Sequence, residues 1–274
     1  MRFTCLAILG TLACWPAFAQ DSNGASPNVP GKKAVRQFGL IRDKFDHGNG
    51  TAESTNWSGY AVLGSSFTSA SGSWVVPAVN CSGVRGDQYS AFWVGLDGYS
   101  SSTVEQTGTL SDCVGRTAVY SAWYEFYPQG LIEIGSLPVK PGDIMFASVV
   151  YNTSTEKFTV TIKDETTGKS YSKSASVSGA SRSSAEWIAE APCCTNGGGI
   201  LPLADFGTVN FGADSTGVSG TNFATDSSNS GSIGSFLSVN YVEINKTGSS
   251  SSPQTSTCTA LSSDGTSFSC TWAN

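Results

Sequence analysis

Short runs of strand-forming residues, separated by turn residues, dominate the chain from Asn56 onward and limit what it can fold into. Alternating or apolar-rich runs recur between breaks of Gly, Ser, Asn, Asp and Pro, and hardly any of them has a helical period. The predicted strands are Trp57–Leu63, Gly72–Val76, Ser90–Leu96, Ala118–Tyr127, Ile144–Tyr151, Phe158–Asp164, Ser170–Val177, Asp205–Phe211 and Phe236–Ile244. Many short strands without helices predict one all-β domain, a sandwich or a barrel.

Three stretches fall outside this strand pattern. Residues 214–235 and 247–257 are rich in Ser, Gly and Thr and are predicted to be long surface loops. Residues 184–191 also fit a helical turn, although the run is too short to separate helix from strand. About 220 residues remain from position 54 to the end, which suits a single β domain.

The N-terminus has the features of an export signal. Arg2 supplies a positive charge, residues 5–14 form a short apolar run, and Ala17-Phe18-Ala19 fits a cleavage site with small residues. The run is well short of the roughly 20 residues that span a bilayer, and no later segment of the sequence is long and apolar enough. We therefore expect residues 1–19 to be a signal peptide and the protein to be secreted, extracellular or periplasmic, without contact with a membrane.

Residues 20–53 have the composition of a basic propeptide that precedes a catalytic domain at 54–274. The net charge is +3 over residues 1–50 and −9 over residues 51–274, within a total of −6. A basic segment held on an acidic domain by charge loosens when the carboxylates are protonated, so we expect it to inhibit its own enzyme until the pH falls. A disordered linker is the alternative. The basic residues of this segment are Lys32, Lys33, Arg36, Arg42 and Lys44.

Export also makes disulfides permissible. The cysteines that remain without the signal are Cys81, Cys113, Cys193, Cys194, Cys258 and Cys270. A turn signal lies between Cys258 and Cys270, which favours a disulfide across a hairpin, and Cys81 with Cys113 is the second pairing that we expect. The complete connectivity stays open at this stage. No Cys-x-x-Cys spacing indicates a zinc site.

The near absence of histidine excludes several kinds of active site. The single histidine, His47, falls within the predicted propeptide. Ser–His and Cys–His triads and histidine-ligated zinc sites are therefore excluded from the domain. An acidic domain with few basic residues argues against nucleic acid as a partner, and no phosphate-binding loop is present. We expect no metal and no cofactor, which leaves carboxylate and amide chemistry; carboxylates, with pKa values near 4, suit an acid enzyme.

Several short motifs occur in a specific order and spacing across residues 54–245. They are Asn56–Ala61, Phe92–Gly98 with its continuation Glu105–Gly108, Ala122–Pro128, Ala185–Glu190 and Ala204–Gly207. Together they resemble the glutamic peptidases, the eqolisin family. The resemblance implies a two-sheet antiparallel β-sandwich of the concanavalin-like jelly-roll type, with a groove on its concave face. It also implies an acid endopeptidase that acts on proteins or peptides, and we expect a monomer.

The resemblance places the catalytic glutamine at Gln106 and the catalytic glutamate at Glu190. Glu190, ionised near pH 4, would take a proton from the attacking water and return it to the leaving nitrogen. Gln106 is neutral at every pH, so its amide can donate to the oxyanion and orient the water without repelling Glu190. Glu186 lies four residues before Glu190 and would face the same side of a strand, so it is the competing candidate.

Five further residues are predicted to line or support the site. Trp93 and Trp123 match groove positions of the family, although a strand tryptophan in a sandwich is more often in the core. Glu125 and Tyr127 alternate with other residues on the strand of Trp123 and share its face, so Glu125 can hold Gln106 in place. Asp97 is expected to support the site or to form a turn.

Two positions depart from the family pattern. Ser121 stands where fungal members carry an aspartate, so a supporting carboxylate is missing there. Glu105 replaces an apolar residue directly before the glutamine, and we expect it to alter the pH dependence. These departures concern subsite preference more than mechanism.

Two other functions also fit a β-sandwich with many aromatic residues. A glycoside hydrolase would use two carboxylates across a groove, with Glu125 and Glu190 as candidates. A carbohydrate-binding lectin would need neither Gln106 nor Glu190. The Gln-Thr-Gly motif and the basic propeptide favour the peptidase.

Overall fold

The computed structural model describes residues 50–194, 199–236 and 241–274, with Cys194 by its backbone only, and the backbone of 36–37 and 42–44. The predicted signal 1–19 and most of the predicted propeptide 20–53 lie outside the described residues. The strands in chain order are β1 Arg36–Gln37, β2 Arg42–Lys44, β3 Thr51–Ser54, β4 Trp57–Leu63, β5 Ser69–Val75, β6 Ala91–Leu96, β7 Val104–Val114, β8 Thr117–Tyr127, β9 Gln129–Glu133, β10 Ile144–Asn152, β11 Lys157–Asp164, β12 Ser170–Ala175, β13 Ser184–Glu190, β14 Cys193–Cys194, β15 Thr208–Phe211, β16 Phe223–Thr225, β17 Ser230–Ser232, β18 Tyr241–Lys246, β19 Thr255–Cys258 and β20 Phe268–Ala273. A short helix, α1 Ala213–Thr216, and a 3-10 turn, Ile233–Ser235, complete the described elements.

Backbone pairing arranges most of these strands in two ladders. The first ladder runs β3–β18–β4–β13–β6–β7–β8–β9, and every pair in it is antiparallel except β3 with β18. The second ladder runs β12–β11–β10–β5 and continues from β5 through β15 to β20 and β19. A single residue pair between β18 and β19, Lys246 with Ser256, joins the two.

The main hydrophobic core takes side chains from both ladders. Phe92, Val94 and Trp187 come from the first ladder, and Trp74 and Val160 come from the second. Side chains alternate between the two faces of a strand, so the other face of the first ladder carries a different set of residues. That second face holds a smaller cluster of buried apolar residues, which is where the site lies.

The predicted all-β class is confirmed, and the differences lie in individual segments. The segment 184–191, which also fitted a helical turn, is strand β13 at the centre of the first ladder. Residues 104–114, which were not predicted as a strand, form the long strand β7. The prediction of a loop over 214–235 was wrong in part, because β16 pairs with β5 in that region.

Both predicted disulfides are confirmed. Cys258 and Cys270 are bonded across the β19–β20 hairpin, and Cys81 is bonded to Cys113. Each bond ties a loop or a terminal strand to a ladder.

Within the part of the chain that the structure describes, no helix is long and apolar enough to cross a membrane.

Gly59, in the middle of β4, is a position where the fold requires glycine. Its φ of 142° is one that residues with a side chain rarely adopt, and a Cβ added there would lie 2.0 Å from the backbone oxygen of Trp187 on β13. Gly59 pairs with Ile188, so this close approach brings β4 against the strand that carries Glu190.

We predict that Gly59→Ala lowers the free energy of unfolding by at least about 3 kcal/mol, because the clash is with backbone that cannot move aside. Urea unfolding monitored by tryptophan fluorescence measures the change. Gly115→Ala is the control: Gly115 has φ 59° with nothing within 4 Å of the added Cβ, so it should lose only about 1 kcal/mol. Equal losses in the two variants would contradict the prediction.

Candidate active site

The second face of the first ladder gathers the residues that the sequence singled out. Side chains of Glu190 on β13, Trp93 on β6, Gln106 on β7 and Glu125 on β8 all point to this face, because their registers alternate with core residues. All four are fully buried. The strand order therefore unites residues that lie far apart in the sequence.

The carboxyl group of Glu190 is held by one donor on β6 and one in the bend between β3 and β4. The Trp93 indole N–H donates to Oε2 at 2.9 Å, and the Asn56 side-chain amide donates to Oε1 at 3.0 Å. Burial raises the pKa of Glu190 well above 4.5, and the charge of Glu125 raises it further. Trp93, Trp57 and Asn56 act in the opposite direction, because donors stabilise the ionised form.

Gln106 is held from the other side by Glu125. The two residues are directly opposite each other on β7 and β8, and the Gln106 Nε2 donates to Glu125 Oε2 at 2.7 Å. The Gln106 Oε1 is buried without a hydrogen-bond partner among the described residues. The amide is thus fixed by one of its two N–H groups, while its other N–H and its oxygen remain available for a ligand.

Two glycines make room for the Trp93 side chain. A Cβ on Gly95 would lie 2.9 Å from the Trp93 ring and 3.2 Å from Cβ of Gln106. A Cβ on Gly108 would lie 2.1 Å from the backbone oxygen of Phe92 and 2.6 Å from Cβ of Trp93. The indole therefore lies over Gly95 beside Gln106 while its N–H reaches Glu190.

Trp123 and Tyr127 line the same face. Trp123 is fully buried opposite Gly108 and belongs to the cluster that contains Trp57 and Trp93. Tyr127 is partly buried and packs against that cluster. Trp93 and Trp123 are both packed as core residues, and they lie on the face that carries Gln106 and Glu190.

Asp97 supports the site from a distance. Its carboxylate accepts the backbone N–H of Arg182 at 2.7 Å and that of Ser183 at 2.9 Å. These bonds fix the segment that leads into β13. The bonds of Asp97 therefore order the strand of Glu190 through Arg182 and Ser183, at its entry.

Asn56 is the site residue that sequence reasoning missed. It opens the Asn56–Ala61 motif, which carried the resemblance but suggested no role for its first residue. The signal that could have identified it is a polar residue placed directly before a buried strand, β4, that pairs with the strand of Glu190.

A second group of carboxyl groups is buried next to the site. Glu186 and Glu105 are fully buried, and their polar contacts, with Thr103 for Glu105 and with Ser184 and the backbone of Tyr99 for Glu186, offset that burial only in part. Burial first, and the charge of Asp97 second, raise the pKa of Glu105 to about 9. Burial also raises the pKa of Glu186 well above 4.5. Glu186 has neither of the donors that hold Glu190, which separates the two candidates on β13.

No metal site accompanies these carboxyl groups in the described part of the chain, since no cluster of His, Cys, Asp or Glu there could hold an ion.

The two departures from the family pattern fall close to the site. Ser121 is half-buried opposite Leu110, on the face of Trp123. Glu105 directly precedes Gln106 and points to the opposite face of β7.

We predict that the protein loses stability as the pH rises and that Glu105→Gln reduces this loss. A carboxyl group whose pKa is raised in the folded state stabilises the fold fully below its unfolded pKa, near 4.5, and loses this contribution as the pH rises towards about 9. Replacement by the neutral amide should therefore reduce the fall in the free energy of unfolding between pH 4 and pH 7 by up to about 3 kcal/mol. Chemical denaturation at both pH values measures it.

The matched control is Glu156→Gln, since Glu156 is exposed in the turn between β10 and β11. It should leave the difference between the two pH values unchanged. If Glu105→Gln and Glu156→Gln behave alike, Glu105 is not the group that titrates.

Comparison with known proteins agrees with the geometry. The model of the peptidase A4 family matches residues 55–272. The chain is 32% identical over 210 residues to Aspergillopepsin-2 of Aspergillus niger, covering 68% of this chain and 70% of that protein. It is 33% identical over 218 residues to Scytalidopepsin B of Scytalidium lignicola, covering 75% and 81%.

A solved structure is also similar. Scytalido-glutamic peptidase with a transition state analog inhibitor superposes with a TM-score of 0.63 at 27% identity, over 80% of this chain and 98% of that one. The family model covers well over half of the sequence and two relatives exceed 30% identity. The chain therefore belongs to the peptidase A4 family, the glutamic peptidases or eqolisins, which are hydrolases that act as endopeptidases.

Proposed function

We propose that the chain is a secreted acid endopeptidase in which Glu190 activates the attacking water and Gln106 stabilises the oxyanion. The observation that supports this most is the placement of the two side chains. Each is fixed by hydrogen bonds on one face of the first ladder, and Trp93, which holds Glu190, packs over Gly95, the residue opposite Gln106. An arrangement fixed before substrate arrives is what electrostatic stabilisation of a transition state requires.

The protonation state of Glu190 depends on whether water reaches it. The sequence predicted a carboxylate ionised near pH 4. In the buried arrangement the pKa of Glu190 is raised well above 4.5, so the group is neutral at that pH. Desolvation is the largest cause, so opening of the site to water lowers the pKa, and the Trp93 and Asn56 donors then favour the carboxylate. General-base catalysis therefore belongs to the open, hydrated site.

In that open site, a water molecule between Glu190 and the scissile carbonyl transfers a proton to the Glu190 carboxylate as its oxygen attacks the carbon. The free N–H of Gln106 donates to the carbonyl oxygen as it gains negative charge, while Glu125 keeps the amide oriented. Glu190 then returns the proton to the leaving nitrogen as the C–N bond breaks. The reaction needs no metal or cofactor.

We also propose that residues 20–53 are an inhibitory propeptide behind a signal peptide at 1–19. The backbone of β1, Arg36–Gln37, pairs antiparallel with β14, which begins three residues after Glu190. A segment in that position lies at the end of the catalytic strand. The two disulfides agree with secretion to an oxidising compartment. We propose a monomer, and propose that the two ladders are the layers of a concanavalin-like jelly-roll sandwich.

The glycoside hydrolase and lectin alternatives are not favoured by the family relationship. A hydrolase of sugars would use Glu125 and Glu190 as its two carboxylates. In this structure Glu125 is engaged with Gln106. Its role is therefore better explained as holding the amide.

We predict that Glu190→Gln lowers cleavage of a denatured protein substrate at about pH 3.5 by at least about a thousandfold, because the amide cannot accept the proton from water. Gln106→Ala should lower it by about a hundredfold to a thousandfold through loss of the oxyanion donor. Cleavage by the purified full-length chain is followed at about pH 3.5 and pH 7, with activity and loss of the basic N-terminal segment expected only in acid.

Glu186→Gln is the control, since Glu186 is a buried glutamate on the same strand and face as Glu190. It should retain near-wild-type activity. An inactive Glu186 variant beside an active Glu190 variant would exchange the two assignments. Absence of peptide cleavage after loss of the propeptide, with turnover of a polysaccharide, would favour the glycoside hydrolase.

A further inference from the structure

The hydroxyl group of Ser54, at the end of β3, is completely used by three hydrogen bonds. It accepts the backbone N–H of Asn56 at 3.2 Å and that of Trp57 at 3.0 Å. Its own hydrogen goes to Oδ1 of Asn56, at 3.0 Å. A serine hydroxyl has one donor and two acceptor sites, so this pattern leaves it no other arrangement. Ser54 and Asn56 are both fully buried.

This pattern fixes which way the Asn56 amide points. With Oδ1 taken by Ser54, the Nδ2 group must face the other way, and there it donates to Oε1 of Glu190 at 3.0 Å. A flipped amide would set its oxygen against the Glu190 carboxyl and leave the Ser54 hydrogen without an acceptor. Both losses are costly in a buried site, so one orientation dominates.

We propose that Ser54 and Asn56 form a two-residue relay that positions the Glu190 carboxyl for catalysis. The inference rests on the proposed role of Glu190 as general base. The relay acts through Glu190: Asn56 holds one oxygen and Trp93 on β6 holds the other, so the carboxyl plane is set from two sides. The Asn56 donor also favours the ionised base, against the opposing charge of Glu125 on β8.

The relay depends on β3, Thr51–Ser54. The sequence analysis placed the end of the propeptide at residue 53, within this strand. β3 pairs in parallel with β18, from Thr51 opposite Glu243 to Ser54 opposite Lys246. Thr247 N donates to Ser54 O at 2.8 Å, and Glu243 N donates to Gly50 O at 2.8 Å. Residues 50–54 therefore belong to the working enzyme, so the propeptide ends before Gly50 and not at residue 53, where the sequence predicted its boundary.

The relay is tested by the pH dependence of kcat/KM, measured after the full-length protein has been activated in acid. Asn56→Ala should move the acid limb upward by about one pH unit, because the base loses a donor to its charged form. Asn56→Asp keeps the size of the side chain but replaces the donor with a carboxyl group, so it should move the limb at least as far. Ser54→Ala removes the hydrogen bond that orients the Asn56 side-chain amide, so it should move the acid limb by about half a pH unit.

Ser58→Ala is the matched control. Ser58 is a buried serine of the same motif, and its hydroxyl contacts Ala189 O at 3.2 Å and Ser256 Oγ at 2.7 Å instead of the relay. It should lose stability without moving the acid limb. The relay would be overturned if the folded Asn56→Asp and Ser54→Ala variants kept the acid limb of the wild-type pH profile. If Glu190→Gln were inactive in the same experiment, the proposed function would remain intact. An active Glu190→Gln would instead remove the proposed function itself.

The mass of the active enzyme gives its first residue and therefore shows whether β3 is retained. After acid activation, its first residue should be Gly50 or an earlier one. A fully active species that begins after Ser54 would show that the relay is dispensable.

Discussion

A carboxyl group buried among hydrogen-bond donors is the constraint on which the rest of this structure depends. Burial by itself makes Glu190 a weak acid that stays protonated, and donors by themselves would make it a weak base. The site combines the two: Trp93 and Asn56 each hold one oxygen, while the surrounding cluster excludes water. Glu186, four residues earlier, has the burial without these two donors, and this difference separates a catalytic candidate from a buried acid.

The backbone of the first ladder serves this arrangement. Gly59 lets β4 approach the strand of Glu190, and Gly95 and Gly108 leave space for the Trp93 ring. Trp93 therefore packs as a core residue and contacts the Glu190 carboxyl group at the same time. The site is shaped by backbone approach as much as by its polar side chains, so it is sensitive to added methyl groups at positions that never touch substrate.

The all-β class and both disulfides could be predicted from the sequence, and its motifs named Gln106 and Glu190 as the candidate pair, but the environment of these two residues could not be predicted. Cys258 and Cys270 were accessible because a local turn lies between them. Strand β7 was missed because neither of its faces is continuously apolar: Gln106 shares one face with Val104 and Leu110, while Thr107 and Thr109 on the other face bond to Trp123 O and Trp74 Nε1. Periodicity detects a strand with one apolar face, and this strand has none. The contact between Asn56 and Glu190 spans 134 positions and depends on strand register, which no local pattern encodes.

The buried amide of Asn56 has a consequence for the host in which the enzyme is made. Asn56-Trp57-Ser58 matches the acceptor pattern for N-linked glycosylation, as do the segments that begin at Asn80 and Asn152. The latter two side chains are exposed and could carry a sugar without disturbing the fold. At Asn56 the nitrogen that would be modified is the one that donates to Glu190, in a space with no access to solvent. A cell that attaches glycans to the unfolded chain during export would therefore compete with folding at this position, and each modified molecule would be lost as enzyme.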